Sequence, residues 1–273
     1  LNVPGIRDSN ITDYATEKTK KYNKAIYLMD IPSYDSANNR LYDDDVNRPS
    51  VRKTIEQFEG RNIDNNYVAT YFPDVVKLFS QEDGGTVSLP SSVAAIGALG
   101  YNDAVSFPWF APAGFNRGAL ENIANTKVRL NTEDRNLLYE ARINPIANFN
   151  INDYVIFGQK TLQKSKSALD RVNVRRMLLE VKRIVSKAAN NIIFEQNVKA
   201  TRDSFIANVS PKLSLIQSQQ GIEQFKVIMN DTNNSQSDIE QNKLNGRIVL
   251  VPTRAVEFIA LDFIITNSGV SFE

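Results

Sequence analysis

The 273-residue chain contains neither cysteine nor histidine. Without cysteine there is no disulfide, no thiolate nucleophile and no zinc ribbon. Without histidine there is no Ser-His-Asp or Cys-His pair and no imidazole metal ligand. Catalysis is left with carboxylate, lysine, tyrosine or serine chemistry. An excess of one charge is missing too: 32 Lys and Arg stand against 31 Asp and Glu, a net charge of +1. Bulk charge therefore names no partner, and a nucleic-acid surface would have to be a local patch. No apolar run approaches the length of a membrane span. Residues 1–30 hold a turn and a Lys-rich helix, not the apolar stretch of a signal peptide.

What is present fits a folded chain: 42% hydrophobic and 23% charged residues, enough for one large domain or two ordinary ones. The sequence starts at Leu1 and runs straight into "NVPGIRD". That reads as the interior of a fold, so upstream residues are expected.

The first half alternates helix and strand signals. "DYATEKTKKYN" predicts a polar helix and "KAIYLMDIP" a short buried strand. Ser50 caps "VRKTIEQFE", which Gly60 ends, and "NYVATYFPDVV" reads as a second buried strand. Ser91 or Ser92 is the expected cap of a small-residue helix, "VAAIGALG". This βαβ rhythm predicts helices layered on a mostly parallel sheet, an α/β domain over residues 1–145. The character changes near "NPIANF", and residues 146–273 read as a separate α+β domain. Its expected parts are a strand, "DYVIFGQKTL", and a long helix from Val172 to Phe194. A second helix is expected over 211–220, with Ser210 as cap, Pro211 at its first position and Gly221 just past its end. "EQFKVIMN", "GRIVLVP" and "AVEFIALDFIIT" complete it as strands.

Few motifs carry chemistry. "FPWFAPAGFNRGAL" holds the only Trp, two prolines and two glycines. It lacks the spacing of a phosphate loop. It reads as a rigid turn: Pro108 and Pro112 fix φ, Gly114 and Gly118 permit positive φ, and Trp109, Phe110 and Phe115 anchor it in the core. Arg117 is expected to be a structural or intersubunit hydrogen-bonder. Asp43, Asp44 and Asp45 are adjacent rather than alternate, a solvated run and not a calcium loop. No pair of carboxylates stands at a spacing that singles it out for acid–base work.

The long helix is more informative. At about 100° per residue, Met177, Leu178, Val181, Ile184, Val185, Ala188 and Ile192 share one arc. Arg175, Arg176, Lys182, Arg183 and Lys187 share the opposite arc, with Glu180 alone breaking the sign. This is either a solvated surface or a docking face for an acidic partner or for nucleic acid, although no aromatic residue interleaves the basic positions for single-strand stacking. At the end of the chain, Ile264, Ile265, Val270 and Phe272 read as an apolar strand that needs pairing, within its own sheet or in a neighbour's.

"WFAPAGFNRGAL", "LLYEARINPI", "FGQKTL", "VNVRRMLLEVKRIV" and "NGRIVLVPTRAVEFIALDFII" together resemble the contractile tail sheath proteins of bacteriophages. Order and spacing match that family's C-terminal half, from about Phe107 onward. Residues 1–106 look, less distinctively, like the preceding sheath domain, often called subtilisin-like. The resemblance implies a structural subunit without cofactor or catalytic site. It would stack as hexameric rings around a tail tube, contract, and drive the tube through the host envelope. Implied partners are further copies of itself, the tube protein, and baseplate and terminator proteins, with no direct contact to nucleic acid and no membrane insertion. The implied location is the virion, with assembly in the host cytoplasm. Terminal arms would add strands to a neighbour's sheet. No such N-terminal arm is recognisable before Leu1, so this chain alone is expected to be monomeric or weakly associating. A bacteriocin, type VI secretion or extracellular injection sheath is the alternative within that class. An α/β enzyme using carboxylate or Lys chemistry is the alternative outside it.

Overall fold

The computed structural model describes residues 1–42, 47–78, 85–150 and 153–259. The acidic run Asp43–Asp45 and the terminal residues Ile264, Ile265, Val270 and Phe272 lie outside them.

The chain enters through α1 (Ser9–Tyr22), capped by the Asp8 side chain, which accepts from the amides of Asn10 and Ile11. The helix packs through Thr12, Thr16 and Thr19. Their hydroxyls bond back to the preceding turn, which leaves the methyl groups to face the core. Then follow β1 (Tyr27–Met29), the small hairpin of β2 (Ser33–Tyr34) and β3 (Arg40–Leu41), α2 (Val51–Glu59) and β4 (Val68–Phe72). As expected, Ser50 caps α2 by accepting from the Lys53 amide at 3.4 Å.

Next come β5 (Val75–Leu78), β6 (Thr86–Leu89), α3 (Ser91–Val105), the single turn α4 (Gly114–Arg117), β7 (Ala119–Leu120) and β8 (Ile123–Thr126). The element after β8 is α5 (Thr132–Glu140), with a capping box between Asn131 and Asp134. β9 (Ile143–Asn150) and β10 (Asp153–Ile156) complete the main sheet, in the order β1-β4-β9-β10-β7.

Its first two pairings are parallel and its last two antiparallel, so the sheet is mixed rather than mostly parallel. Side chains alternate across it. Tyr27, Met29, Val68 and Phe72 face α2 and α5 with Phe58 and Leu138. Leu28, Ala69 and Tyr71 face Ala94, Ala95 and Ala98 of α3. Burial on both faces is why these strands read as unbroken apolar runs. β6, β5 and β8 form a separate antiparallel sheet.

Two expectations need correction here. The expected domain boundary at 145/146 falls inside β9, the middle strand of the main sheet. A separate core begins only at α6 (Val172–Asn190). There Val174, Met177 and Val181 pack with Phe205, Val209, Leu213 and Ile216 of α7 (Lys199–Ser218). The cap of α3 also differs. Its N-cap is Pro90, without a side-chain bond. Ser91 and Ser92 instead bind the buried Asp30, with Ser92 Oγ donating to Asp30 Oδ2 at 2.7 Å. Asp30 also accepts from the Ser92 amide and Asp74 from the Ser91 amide, so two carboxylates satisfy the helix start.

The second helix departs further from expectation. Ser210 and Pro211 lie within α7, because Phe205 and Val209 before the proline and Leu213 and Ile216 after it form one buried stripe. Nor is Gly221 the left-handed residue. Gln220 takes that conformation (φ 63°), and the Gly221 amide donates to Ile216 O at 2.9 Å. β11 (Ile222–Ile228), the short α8 (Gln236–Glu240) and β12 (Arg247–Pro252) follow. β11 and β12 pair antiparallel as a sheet of two, lying on α7 through Ile222 and half-buried Phe225, Ile248 and Leu250. Residues 255–259, expected as strand, have no regular structure.

Candidate assembly surfaces

The Trp109 turn belongs to the second core, not to the α/β body in which its sequence position put it. Trp109 is 8% exposed and packs with Val174, Met177 and Ile216. Its indole N–H donates to Gln219 O at 2.9 Å, and Asn173 Nδ2 donates to Trp109 O at 3.1 Å. Phe107 stacks on the indole at 4.9 Å. The turn therefore pins the two halves together. Pro112 and Gly118 are buried. A Cβ at Gly118 would lie 2.7 Å from Ile156 O, and Gly114 has φ 80°, so one glycine supplies space and the other backbone freedom. Arg117 serves the turn itself: Nε donates to Ala111 O at 3.1 Å, and the guanidinium lies 5.1 Å from the Phe110 ring. Phe115 is no core anchor. It is 57% exposed and meets Phe149 edge-on at 5.1 Å.

The basic face of α6 is split. Arg175 is buried, bonded to Asn66 through Nε and Nη2, with its guanidinium 3.9 Å from the Tyr67 ring centroid. Arg176 is held by Asp103 at 2.5 Å. Both are internal ties rather than a docking face, and a helical wheel could not show this because Tyr67 and Asp103 are far away in sequence. Lys182 reaches Asn23 and the Tyr67 hydroxyl at 3.2–3.3 Å. Arg183, bonded to Glu180, and Lys187 are exposed. With Lys24 these cations line an open groove of about 570 Å³ beside the end of α1.

A third feature was not anticipated. The segment after β12 is held to the body by one carboxylate. Glu257 accepts from Arg171 at 2.7 and 2.9 Å, from Tyr139 Oη at 2.8 Å and from Gln159 Nε2 at 3.2 Å. Burial would raise the Glu257 pKa, but the bonds from Arg171 and Tyr139 outweigh it and hold the acid below its usual range. Burial, then the bond to Glu257, pushes the Tyr139 phenol up to about 12. Lys160 lies 3.4 Å from the Tyr139 ring centroid and donates to Tyr139 O at 2.7 Å. Burial and then the Arg171 charge lower it to about 8. Around Glu257, Val256, Phe258 and Ile259 are more than three-quarters exposed. No spacing rule signals such a clasp, since its members are up to 118 positions apart.

Among the described residues no group of three or more acidic side chains is placed to hold a metal, and no helix is long and apolar enough to cross a membrane. β11 and β12 are both edge strands in the described structure, and Val249 and Val251 stand exposed on the sheet's outer face.

This architecture is the mixed α/β fold of contractile sheath proteins. It superposes on the helical sheath of the anti-feeding prophage in its contracted state with a TM-score of 0.73. That match covers 96% of this chain and 68% of the other at 23% identity. Residues 164–266 match the phage tail sheath C-terminal domain family, and the chain is a relative of bacteriophage tail sheath proteins. It is 38% identical over 176 residues to the tail sheath protein of Vibrio phage KVP40, covering 64% of this chain and 26% of the relative. It is 31% identical over 185 residues to that of Enterobacteria phage T4, covering 68% and 28%. The chain thus spans about a quarter of the length of these relatives.

Proposed function

We propose that the chain is part of the structural subunit of a contractile phage tail sheath, without catalytic function. It would polymerise as stacked hexameric rings around a tail tube and contract to drive the tube through the host envelope. The observation that carries this reading is the two-stranded β11–β12 sheet, with both edges open among the described residues and an exposed apolar segment leading away from it. Such a sheet is a template for strands from neighbouring copies. The terminal residues Ile264, Ile265, Val270 and Phe272 would supply one. In this reading the N-terminal sheet is the subtilisin-like sheath domain in fold only, since a chain without histidine has no Ser-His-Asp triad.

The tube-facing surface would be the Lys182, Arg183 and Lys187 groove. Exposed ion pairs are individually weak, about 0–1 kcal/mol, and salt-screened, which suits a contact that must release on contraction. Baseplate and terminator proteins are the further expected partners, in a virion assembled in the host cytoplasm. The likeness to the anti-feeding prophage sheath favours, as a second reading, the sheath of an extracellular injection device. Electron microscopy of the protein incubated with purified tail tubes tests the proposal. Striated, decorated tubes are expected, and bare tubes beside small discrete particles would overturn it.

A further inference from the structure

The connection between α6 and α7 presents an aromatic side chain that the rest of the described molecule does not use. Phe194 is fully exposed, flanked by Ile193 and Val198, each more than half exposed. Its φ is 71°, a backbone region that a bulky side chain rarely adopts. A phenyl ring on strained backbone in water is unfavourable for an isolated chain, so the feature points to a partner.

A receptor of fitting size and chemistry lies elsewhere on the molecule. An open cavity of about 330 Å³ sits between α5, the turn before α4, and the segment held by Glu257. Ala113, Tyr139, Pro145, Phe157, Val256 and Phe258 make it largely apolar. Gln159, 3% exposed, also lines it, with its Nε2 donating to Glu257 at 3.2 Å. At the rim stands Arg135, with its guanidinium 4.9 Å from the Phe149 ring and no carboxylate paired to it among the described residues. Glu195, next to Phe194, is exposed and likewise has no cation paired to it among the described residues.

We infer that Phe194 of one copy of this chain seats in the Tyr139–Phe157 cavity of a second copy, with Glu195 against Arg135. Aromatic anchor, apolar cavity and opposite unpaired charges are complementary on two different surfaces of the same molecule. Such a contact is head-to-tail and propagates into a ring or a helix rather than closing a pair. The anchor is a side chain, so this contact is separate from strand addition at β11–β12. The Glu257 clasp gains a role, because it holds Val256 and Phe258 in place as one wall of the cavity.

The inference rests on the self-association in the sheath reading, and the test separates the two. The chain has no cysteine, so Gln196→Cys and Asn136→Cys can be made in separate preparations, mixed and oxidised. A mixed disulfide-linked dimer is expected. In the Phe194→Ala background its yield should fall at least about tenfold. Arg135→Glu should lower it similarly, and adding Glu195→Arg should restore it. Absence of the mixed dimer, or a yield indifferent to Phe194→Ala, overturns the contact, as does linkage of Gln196→Cys to tube protein in its place. Tail tubes decorated normally by Phe194→Ala, with no mixed dimer, sink the contact and leave the sheath reading intact. Bare tubes beside a Phe194-dependent mixed dimer do the reverse.

Discussion

Gly221 is in contact with the face of Trp109: a Cβ at residue 221 would sit 2.9 Å from the indole Cγ and 2.6 Å from Ile216 Cγ2. The glycine just past α7 therefore serves packing. Its place as the left-handed residue is taken by Gln220. The contact is where the turn that follows α3 meets the helical core, so it couples the two halves.

Gly221→Ala should destabilise the protein by about 1–3 kcal/mol through overpacking. Trp109→Ala should cost about 3–5 kcal/mol. Chemical denaturation followed by circular dichroism measures both. Trp109 is the only tryptophan, so its fluorescence reports the same contact in Gly221→Ala. An unchanged midpoint for Gly221→Ala would mean that the helix end shifts freely.

The five cations expected on one face of α6 should separate by mutation. Arg175→Ala loses hydrogen bonds to Asn66 and the contact with the Tyr67 ring. It should cost about 2–4 kcal/mol of stability. Arg183→Glu with Lys187→Glu changes exposed side chains and should leave the melting temperature nearly unchanged while weakening cosedimentation with tail tubes, most clearly at low salt. Equal stability loss in both variants would refute this division of the helix.

The contrast shows what the sequence could and could not reveal. β1 and β4 of the main sheet were legible because burial on both faces makes them apolar without break, as in Val68–Phe72, whereas its middle strand β9 had read only as the change of character at "NPIANF". The α2 cap was legible because Ser50 lies next to the turn it satisfies. Ser91 and Ser92 carried the same local signal, but it gave way to Asp30, which the sheet brings to the start of α3 from 61 positions away. Pro211 read as a helix start because local propensity favours it there. The buried stripe on both sides of it carries α7 through. The fates of Arg175 and Glu257 were invisible for a related reason. Their partners are distant in sequence, and only the fold sets the distance between them.

The Glu257 clasp predicts acid sensitivity confined to the end of the described chain. Its folded pKa lies below 4.5, so its stabilising effect is complete above that value and is lost as pH falls through the folded pKa. Glu257→Gln should mimic that loss at neutral pH. Hydrogen exchange should accelerate at residues 255–259, and trypsin should cut after Arg254 about tenfold faster, while the melting temperature of the body barely moves. Unchanged exchange at these residues would show that the segment is held by something else.

Lys160 gives the opposite sign at alkaline pH. Its pKa is lowered from 10.5 to about 8 by burial and by the Arg171 charge. Between those values the unfolded chain keeps a proton that the folded protein has released, so stability contributed at this site rises with pH. Below pH 8 the lysine is charged in both states and the cost of burying the ammonium is borne in full. Lys160→Met should remove the rise, leaving a flatter stability profile than wild type from pH 8 to 9.5. Tyr139, raised to about 12, keeps its proton in both states over most of that window and does not mask the effect. Denaturant midpoints measured at half-unit pH steps check the slope. A wild-type profile that falls from pH 8 upward, or a Lys160→Met profile parallel to it, would show that the ammonium is better solvated than its place over the Tyr139 ring implies.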